Sequence, residues 1–179
     1  MSALAHAYVG LGANLGDRLQ ALRDAVDRLD GAAGVRVVAC SPVYETAPQG
    51  PVRAQPAFLN AVCAVETSLA PRDLLGRLLQ VERALGRVRD VPQGPRTIDL
   101  DLLLFGSTVV DEPGLLVPHR QLQRRAFVLV PLLDLAPDLR HPLTGELLRE
   151  ERARLRDQAI APFAPPSALQ PTRAPGPPS

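Results

Sequence analysis

The sequence predicts an α+β fold, a ferredoxin-like sandwich with a mainly antiparallel sheet, helices packed on it and long functional loops. Three observations predict it. The elements run β-α-β-β-α-β, two of them are amphipathic helices with recognisable ends, and 179 residues suffice for one core plus a tail.

Residues 7–11 read as a buried strand ending at Gly12. Residues 17–30 (DRLQALRDAVDRLD) place Leu19, Leu22, Val26 and Leu29 at helical spacing, with Asn14 or Asp17 as the cap. Residues 35–44 (VRVVACSPVY) are β-rich and lead into a Pro/Gly/Gln loop over 46–56. Residues 58–66 (FLNAVCAVE) form another strand, and 71–85 a second amphipathic helix with Pro71 and Asp73 in its first turn and Gly86 at its end. An Arg-rich loop, 87–96, precedes a strand over 97–105, and short helical pieces follow at 119–124 and 126–134. The folded domain is taken as residues 1–161. Residues 162–179 (PFAPPSALQPTRAPGPPS) have no apolar period and read as a disordered, proline-rich tail.

Charge and composition exclude several functions. The net charge is +1, from 20 basic and 19 acidic residues, which gives no general field for nucleic acid or an anionic membrane. No apolar run approaches the ~18 residues of a membrane span, and the N-terminal MSALAHAYVGLG lacks a basic leader, so a cytoplasmic protein is expected; the sequence shows no sign of an oligomer interface, and a monomer is expected. Cys40 and Cys63 lie in apolar strand-like segments and read as reduced core residues rather than a disulfide. There is no lysine, so every fixed positive side chain is a guanidinium, a planar fork suited to phosphate.

The most informative stretch is GPRTIDLD, residues 94–101. Side chains alternate along a strand, so Asp99 and Asp101 share one face while Ile98, Leu100, Leu102 and Leu104 share the other. Two carboxylates about 6–7 Å apart on one face repel each other, and aspartate is a poor strand former. Hard cations compensate: Mg²⁺ takes carboxylate oxygens and completes its shell from water and substrate phosphates. A solvated edge strand is the competing reading of an isolated Asp-x-Asp. Here Arg87, Arg89 and Arg96 lie just upstream, and guanidiniums beside carboxylates suit a polyphosphate with its metals. No P-loop is present, because GxxxxGK[ST] needs a lysine, and GLGANLG (10–16) fails GxGxxG at Leu15. Its glycines read as a turn allowing close backbone packing, with ligand approach as the second reading.

The motifs YVGLGANLGDR, SPVYETAP, QPAFLNAV, LGRVR, GPRTIDLDLLLFG and VPHRQLQRRAFVLVPLLDLAPDL occur in that order. Together they resemble the 6-hydroxymethyl-7,8-dihydropterin pyrophosphokinases from about Tyr8 to Leu148. The resemblance implies Mg²⁺-dependent transfer of diphosphate from ATP to a pterin alcohol in folate biosynthesis. It implies two Mg²⁺ on Asp99 and Asp101, and catalytic phosphate contacts from Arg87 and Arg96. Arg89, Glu82, His119 and Arg125 match ATP-site positions. Phe58 and Phe127 match a pair of aromatics that sandwich the pterin, with Gly12, Thr46 and Asn60 at its polar rim. The chain departs from the family pattern in a shorter DVPQ loop (90–93), in Gln93 where some members carry tryptophan, and in Ala47 where proline is usual. A glutamine of the preceding helix is displaced to Gln80 and is not carried over. An RNA-binding module and a nucleotide-holding domain without catalysis are the rivals. Aromatic content of 3% speaks against the first, and the intact Asp pair and arginines against the second.

Overall fold

In a computed structural model, the described residues are 3–48, 51–52, 54–86 and 97–173. Strand β1 (Ala5–Ala13) leads into α1 (Arg18–Asp30), whose cap is Asp17: its Oδ1 accepts from Gln20 N at 3.1 Å. The stripe of Leu22, Ala25, Val26 and Leu29 is buried, as the period requires. The β-rich run expected as one strand is two, β2 (Val35–Cys40) and β3 (Val43–Thr46). Pro42 has no amide to donate, so the ladder is interrupted there, and Ser41 Oγ takes up the amide of the partner strand by accepting from Val62 N at 2.9 Å.

Both segments pair antiparallel with β4 (Phe58–Thr67), which is followed by α2 (Pro71–Ala84) and β5 (Asp99–Phe105). Helix α2 ends where Gly86 adopts φ +77°, a left-handed position that costs glycine nothing. The sheet order β5-β1-β4-β3, with β2 also on β4, is that of the expected ferredoxin-like sandwich, all neighbours antiparallel. Helices α1 and α2 cover one face of the sheet and bury its main core. The other face is only half covered, by α3 (Ala126–Leu135) and α4 (Leu148–Arg154), with a smaller core of Val62, Leu103, Leu104, Leu122, Leu129 and Leu132. The uncovered half is the floor of a cleft.

Beyond the split strand, three sequence expectations need correcting. Residues 119–124 are successive three-residue turns, closed by Leu122 N to His119 O and Arg124 N to Gln121 O, not a helix. Leu104 does not share a face with Leu100 and Leu102, because a bulge opposite Tyr8 and Val9 inserts Leu103 and turns Leu104 to the α3 side. A hairpin, β6 (Val110–Glu112) and β7 (Leu115–Val117), occupies a stretch in which no element is expected from the sequence; Pro113–Gly114 at its tip is the signal for it.

The tail is the third correction. Residues 162–173 are not disordered. Strand β8 (Ala161–Ala164) pairs with β3, and a 3₁₀ turn (Pro166–Leu169) buries Leu169 in the main core. Arg23 Nε donates to Ala168 O, and the Arg173 guanidinium forks onto Asp30, so polar contacts of the α1 face replace a hydrophobic period. Burial raises the Asp30 pKa, but the Arg173 and Val37 N–H bonds outweigh it and leave the carboxyl below its ordinary value. Residues 174–179 lie outside the described residues.

One pH dependence follows from the turn before α4. His141 is buried, its Nδ1 accepts from Leu143 N at 3.2 Å, and burial lowers its pKa despite the nearby Glu151 and Glu146. The unfolded imidazole binds its proton at a higher pH than the folded one, so this contribution to stability is lost as pH falls below 6.5. The melting temperature is expected to drop between pH 7 and 5.5 and to drop less in His141→Asn. Equal slopes in the two proteins would refute the assignment.

Candidate active site

The cleft is a consequence of register. Asp99 pairs with Gly12, Gly12 with Asn60, and Asn60 with Tyr44, so one row crosses four strands; a second runs Asp101–Gly10–Val62. Directly paired residues point to the same face of a sheet. Both rows therefore place carboxylates on one side, bare glycine backbone in the middle and polar or apolar side chains beyond. A side chain on the central strand would fill the trough: a Cβ at Gly12 would lie 3.2 Å from Asn60 Oδ1. Gly10 and Gly12, which the motif alone suggests as turn residues and of which the resemblance assigns Gly12 to the pterin rim, are here the floor of the cleft.

The far wall is built from β3 and β4. Asn60 and Thr46 are buried polar residues, and Asn60 Nδ2 donates to Thr46 Oγ1 at 2.7 Å, which fixes the carboxamide with its oxygen over Gly12. Phe58, paired with Thr46, lines the same wall. Across the gap stand Phe127 and Val128 from the first turn of α3 and Arg125 just before it, whose guanidinium lies 5.4 Å from the Phe127 ring centroid. Phe58 and Phe127, which line the cleft, are only half-buried, unlike Phe105.

Several residues that build these walls were not foreseen. Buried Asn14 donates to Pro56 O at 3.0 Å and to Gln55 Oε1 at 2.9 Å, and Arg18 donates to Ala57 O at 2.9 Å. The β1–α1 turn thus grips the segment that delivers Phe58. Tyr44 ties β3 to α3 through a short hydrogen bond to Asp134; burial and that carboxylate push the phenol up to about 12.

Of the residues assigned by resemblance, Gly12, Thr46, Phe58, Asn60, Phe127, Arg125, Asp99 and Asp101 line this one cleft. His119 does not. It stands over an adjoining depression formed by Leu75, Leu100, Leu102, Leu115 and Arg120, and Asp101 is the residue common to both. Its Nε2 is 3.9 Å from Asp101 Oδ1, too long for a hydrogen bond, while its Nδ1 accepts from Gln121 N at 3.1 Å. Burial and then the Arg125 charge lower its pKa, against an opposing pull from Asp99. The neutral imidazole then carries its proton on Nε2.

Glu82 lies behind β5 rather than in the cleft lining. It is buried, and its Oε1 accepts from Leu100 N at 2.8 Å, bracing the strand between the two aspartates. Its position four residues after Leu78 on the apolar stripe of α2 was the signal for that burial. Arg87, Arg89 and Arg96, with the DVPQ loop and Gln93, lie outside the described residues.

Two carboxylates facing one trough are the donor set that Mg²⁺ uses when the rest of its shell is water and phosphate oxygen. Among the described residues no group of three or more His, Cys, Asp or Glu side chains that could hold a metal is assembled.

Several known proteins are similar to this chain in sequence or fold. The profile of the family described as HPPK, 7,8-dihydro-6-hydroxymethylpterin-pyrophosphokinase, matches residues 8–137. The chain is 52% identical over 135 residues to the 2-amino-4-hydroxy-6-hydroxymethyldihydropteridine pyrophosphokinase of Pseudomonas aeruginosa, covering 75% of this chain and 83% of that one. It is 41% identical over 158 residues to the folic acid synthesis protein fol1 of Pneumocystis carinii, covering 88% of this chain and 21% of the fungal one. A solved HPPK-DHPS in complex with substrates superposes with a TM-score of 0.70 at 14% identity, over 86% of this chain and 44% of that one, and shares the fold. The chain thus spans less than half of that structure and about a fifth of the fungal relative.

Proposed function

The chain belongs to the 7,8-dihydro-6-hydroxymethylpterin-pyrophosphokinase family, and from that premise we propose that its cleft transfers diphosphate from ATP to 6-hydroxymethyl-7,8-dihydropterin and releases AMP. One observation carries the assignment of the parts: the rows Asp99–Gly12–Asn60 and Asp101–Gly10–Val62 put a carboxylate pair and a slot between two phenylalanines on one glycine floor. A flat heterocycle stacks between Phe58 and Phe127, and the Asn60–Thr46 pair reads its polar edge. Gly12 allows the ring to lie against backbone.

ATP occupies the depression beside His119, with its phosphates reaching over Asp101 into the cleft. The pterin hydroxyl oxygen attacks the β-phosphorus, a new P–O bond forms, the bond to the α–β bridging oxygen breaks with AMP as leaving group, and the hydroxyl proton is released to solvent. Phosphoryl chemistry of this kind needs mainly alignment and charge stabilisation. Asp99 and Asp101 would hold two Mg²⁺, which when bound neutralise phosphate oxygens and lower the cost of charge at the reacting centre. Arg87 and Arg96 are assigned to the departing charge and Arg89 to the same loop, on resemblance. Arg125, held against Phe127 at the mouth, and neutral His119 take the nucleotide side. Glu82 acts through β5, by keeping the aspartates in line. A cytoplasmic monomer is the proposed working form; among the described residues no helix is long and apolar enough to cross a membrane.

The test is incubation of the full chain with Mg²⁺, ATP and 6-hydroxymethyl-7,8-dihydropterin. AMP and pterin diphosphate are expected in equal amounts, and none after chelation of the metal. Formation of ADP, or of AMP without the pterin, would refute the assignment, and ATP binding without turnover would leave a nucleotide-holding domain.

A further inference from the structure

The geometry points to the segment 158–163 as a strap that ties the two walls of the cleft together and sets the width of the pterin slot, an inference that rests on the reading of that slot given above. Its two ends hold different walls. At one end the carboxamide of Gln158 bridges the start of α3: Oε1 accepts from Ala126 N at 2.8 Å, and Nε2 donates to Arg124 O at 2.8 Å. These bonds flank Arg125 and fix the turn that carries Phe127. Helix α3 has no side-chain cap of its own, and Gln158 supplies the acceptor that the first amides of a helix lack.

At the other end the strap becomes β8, with Ala161 paired to Glu45 and Pro162 to Tyr44. The Phe163 ring lies 5.6 Å under the Arg18 guanidinium, and Arg18 Nη1 reaches Glu45 Oε2 at 2.7 Å and Ala57 O at 2.9 Å. Glu45 and Ala57 are the chain neighbours of Thr46 and Phe58, so this end holds the opposite wall.

Only three residue steps separate Gln158 from Ala161, a span of at most about 10–11 Å even when extended. A tether of that length leaves little slack between the walls. A ring stacked on both faces makes contacts of about 3.5–4.0 Å, and a gap of about 0.5–1 Å forfeits a quarter to a half of each atom-pair attraction. Slot width therefore governs pterin affinity. The nucleotide depression shares no lining residue with the strap. Gln158 and Phe163 are positioning residues: neither lines the cleft.

The experiment compares the full chain with Gln158→Ala, Gln158→Glu and Phe163→Ala at saturating Mg–ATP. Gln158→Ala is expected to raise the pterin KM about three- to tenfold, the loss of two hydrogen bonds, with kcat changed less than about twofold. Gln158→Glu keeps the acceptor for Ala126 and is expected to recover part of that loss. Phe163→Ala, which removes an exposed ring–guanidinium contact, is expected to cost about two- to fivefold in the same parameter. Amide hydrogen exchange supplies a readout independent of turnover: Gln158→Ala is expected to speed exchange both at 126–129 and at 43–46. Unchanged pterin KM in Gln158→Ala and Phe163→Ala, or faster exchange confined to 126–129, would overturn the strap. A wild-type protein that forms no AMP would instead overturn the pterin reading, and the exchange pattern would still decide whether the walls are tied.

Discussion

Asp101→Ala is expected to abolish turnover, lowering kcat/KM by at least about 10³-fold, while leaving the protein folded and no less stable. The magnitude follows from what the carboxylate is asked to do. Charge stabilisation by a bound metal amounts to several kcal/mol, and each 1.36 kcal/mol is a factor of ten in rate. Asp101 lines both the cleft and the depression beside His119, so under the proposed function it stands where the two substrates meet. Its side chain is 41% exposed and faces Gly10 across the strand pair, so alanine there creates no cavity in the core. Removing one of two like charges on a strand face also relieves repulsion. The expected pair of results is a dead enzyme with an unchanged or raised melting temperature. Asp99→Ala is expected to behave alike, since it faces Gly12 in the same way. Residual activity above a tenth of wild type in either variant would sink the metal assignment, and a lowered melting temperature would make the pair structural instead.

What the sequence disclosed about this site was what local rules can reach. Alternation with period two put Asp99 and Asp101 on one face before any partner strand was known, and the structure leaves that unchanged. The helical stripes of α1 and α2 were equally local. The face of Leu104 was not legible, because a bulge depends on the partner strand and β5 alone carries no mark of it. The tail misled for a related reason. Its proline content and lack of period are local facts, whereas Leu169, Thr172 and Arg173 are anchored by residues 129, 145 and 143 positions earlier, Cys40, Asp27 and Asp30 respectively. The glycines of the first strand show the same limit. Their role as a trough floor appears only when β1 lies between Asp99 and Asp101 on one side and Asn60 and Val62 on the other.

Phe127→Ala is expected to raise the pterin dissociation constant by about 5- to 150-fold, the range corresponding to the ~1–3 kcal/mol of stacking an aromatic platform supplies to a flat base. The ring is half-buried, so most of what alanine removes is the platform rather than core packing, and the stability cost should fall below the ~3–5 kcal/mol of a buried Phe→Ala. Truncation has a second consequence, because the Arg125 guanidinium rests 5.4 Å from the ring centroid and loses its support. Two further variants separate these effects. Phe127→Tyr keeps both the platform and the cation–π contact and should bind pterin nearly as well as wild type. Arg125→Ala keeps the platform and should weaken ATP more than pterin. Binding titrations that show pterin affinity following Arg125 rather than the ring at 127 would assign the pterin contact to the guanidinium. An unchanged pterin constant in Phe127→Ala would remove the α3 wall from the site, and with it the reason for Gln158 to hold that helix where it does.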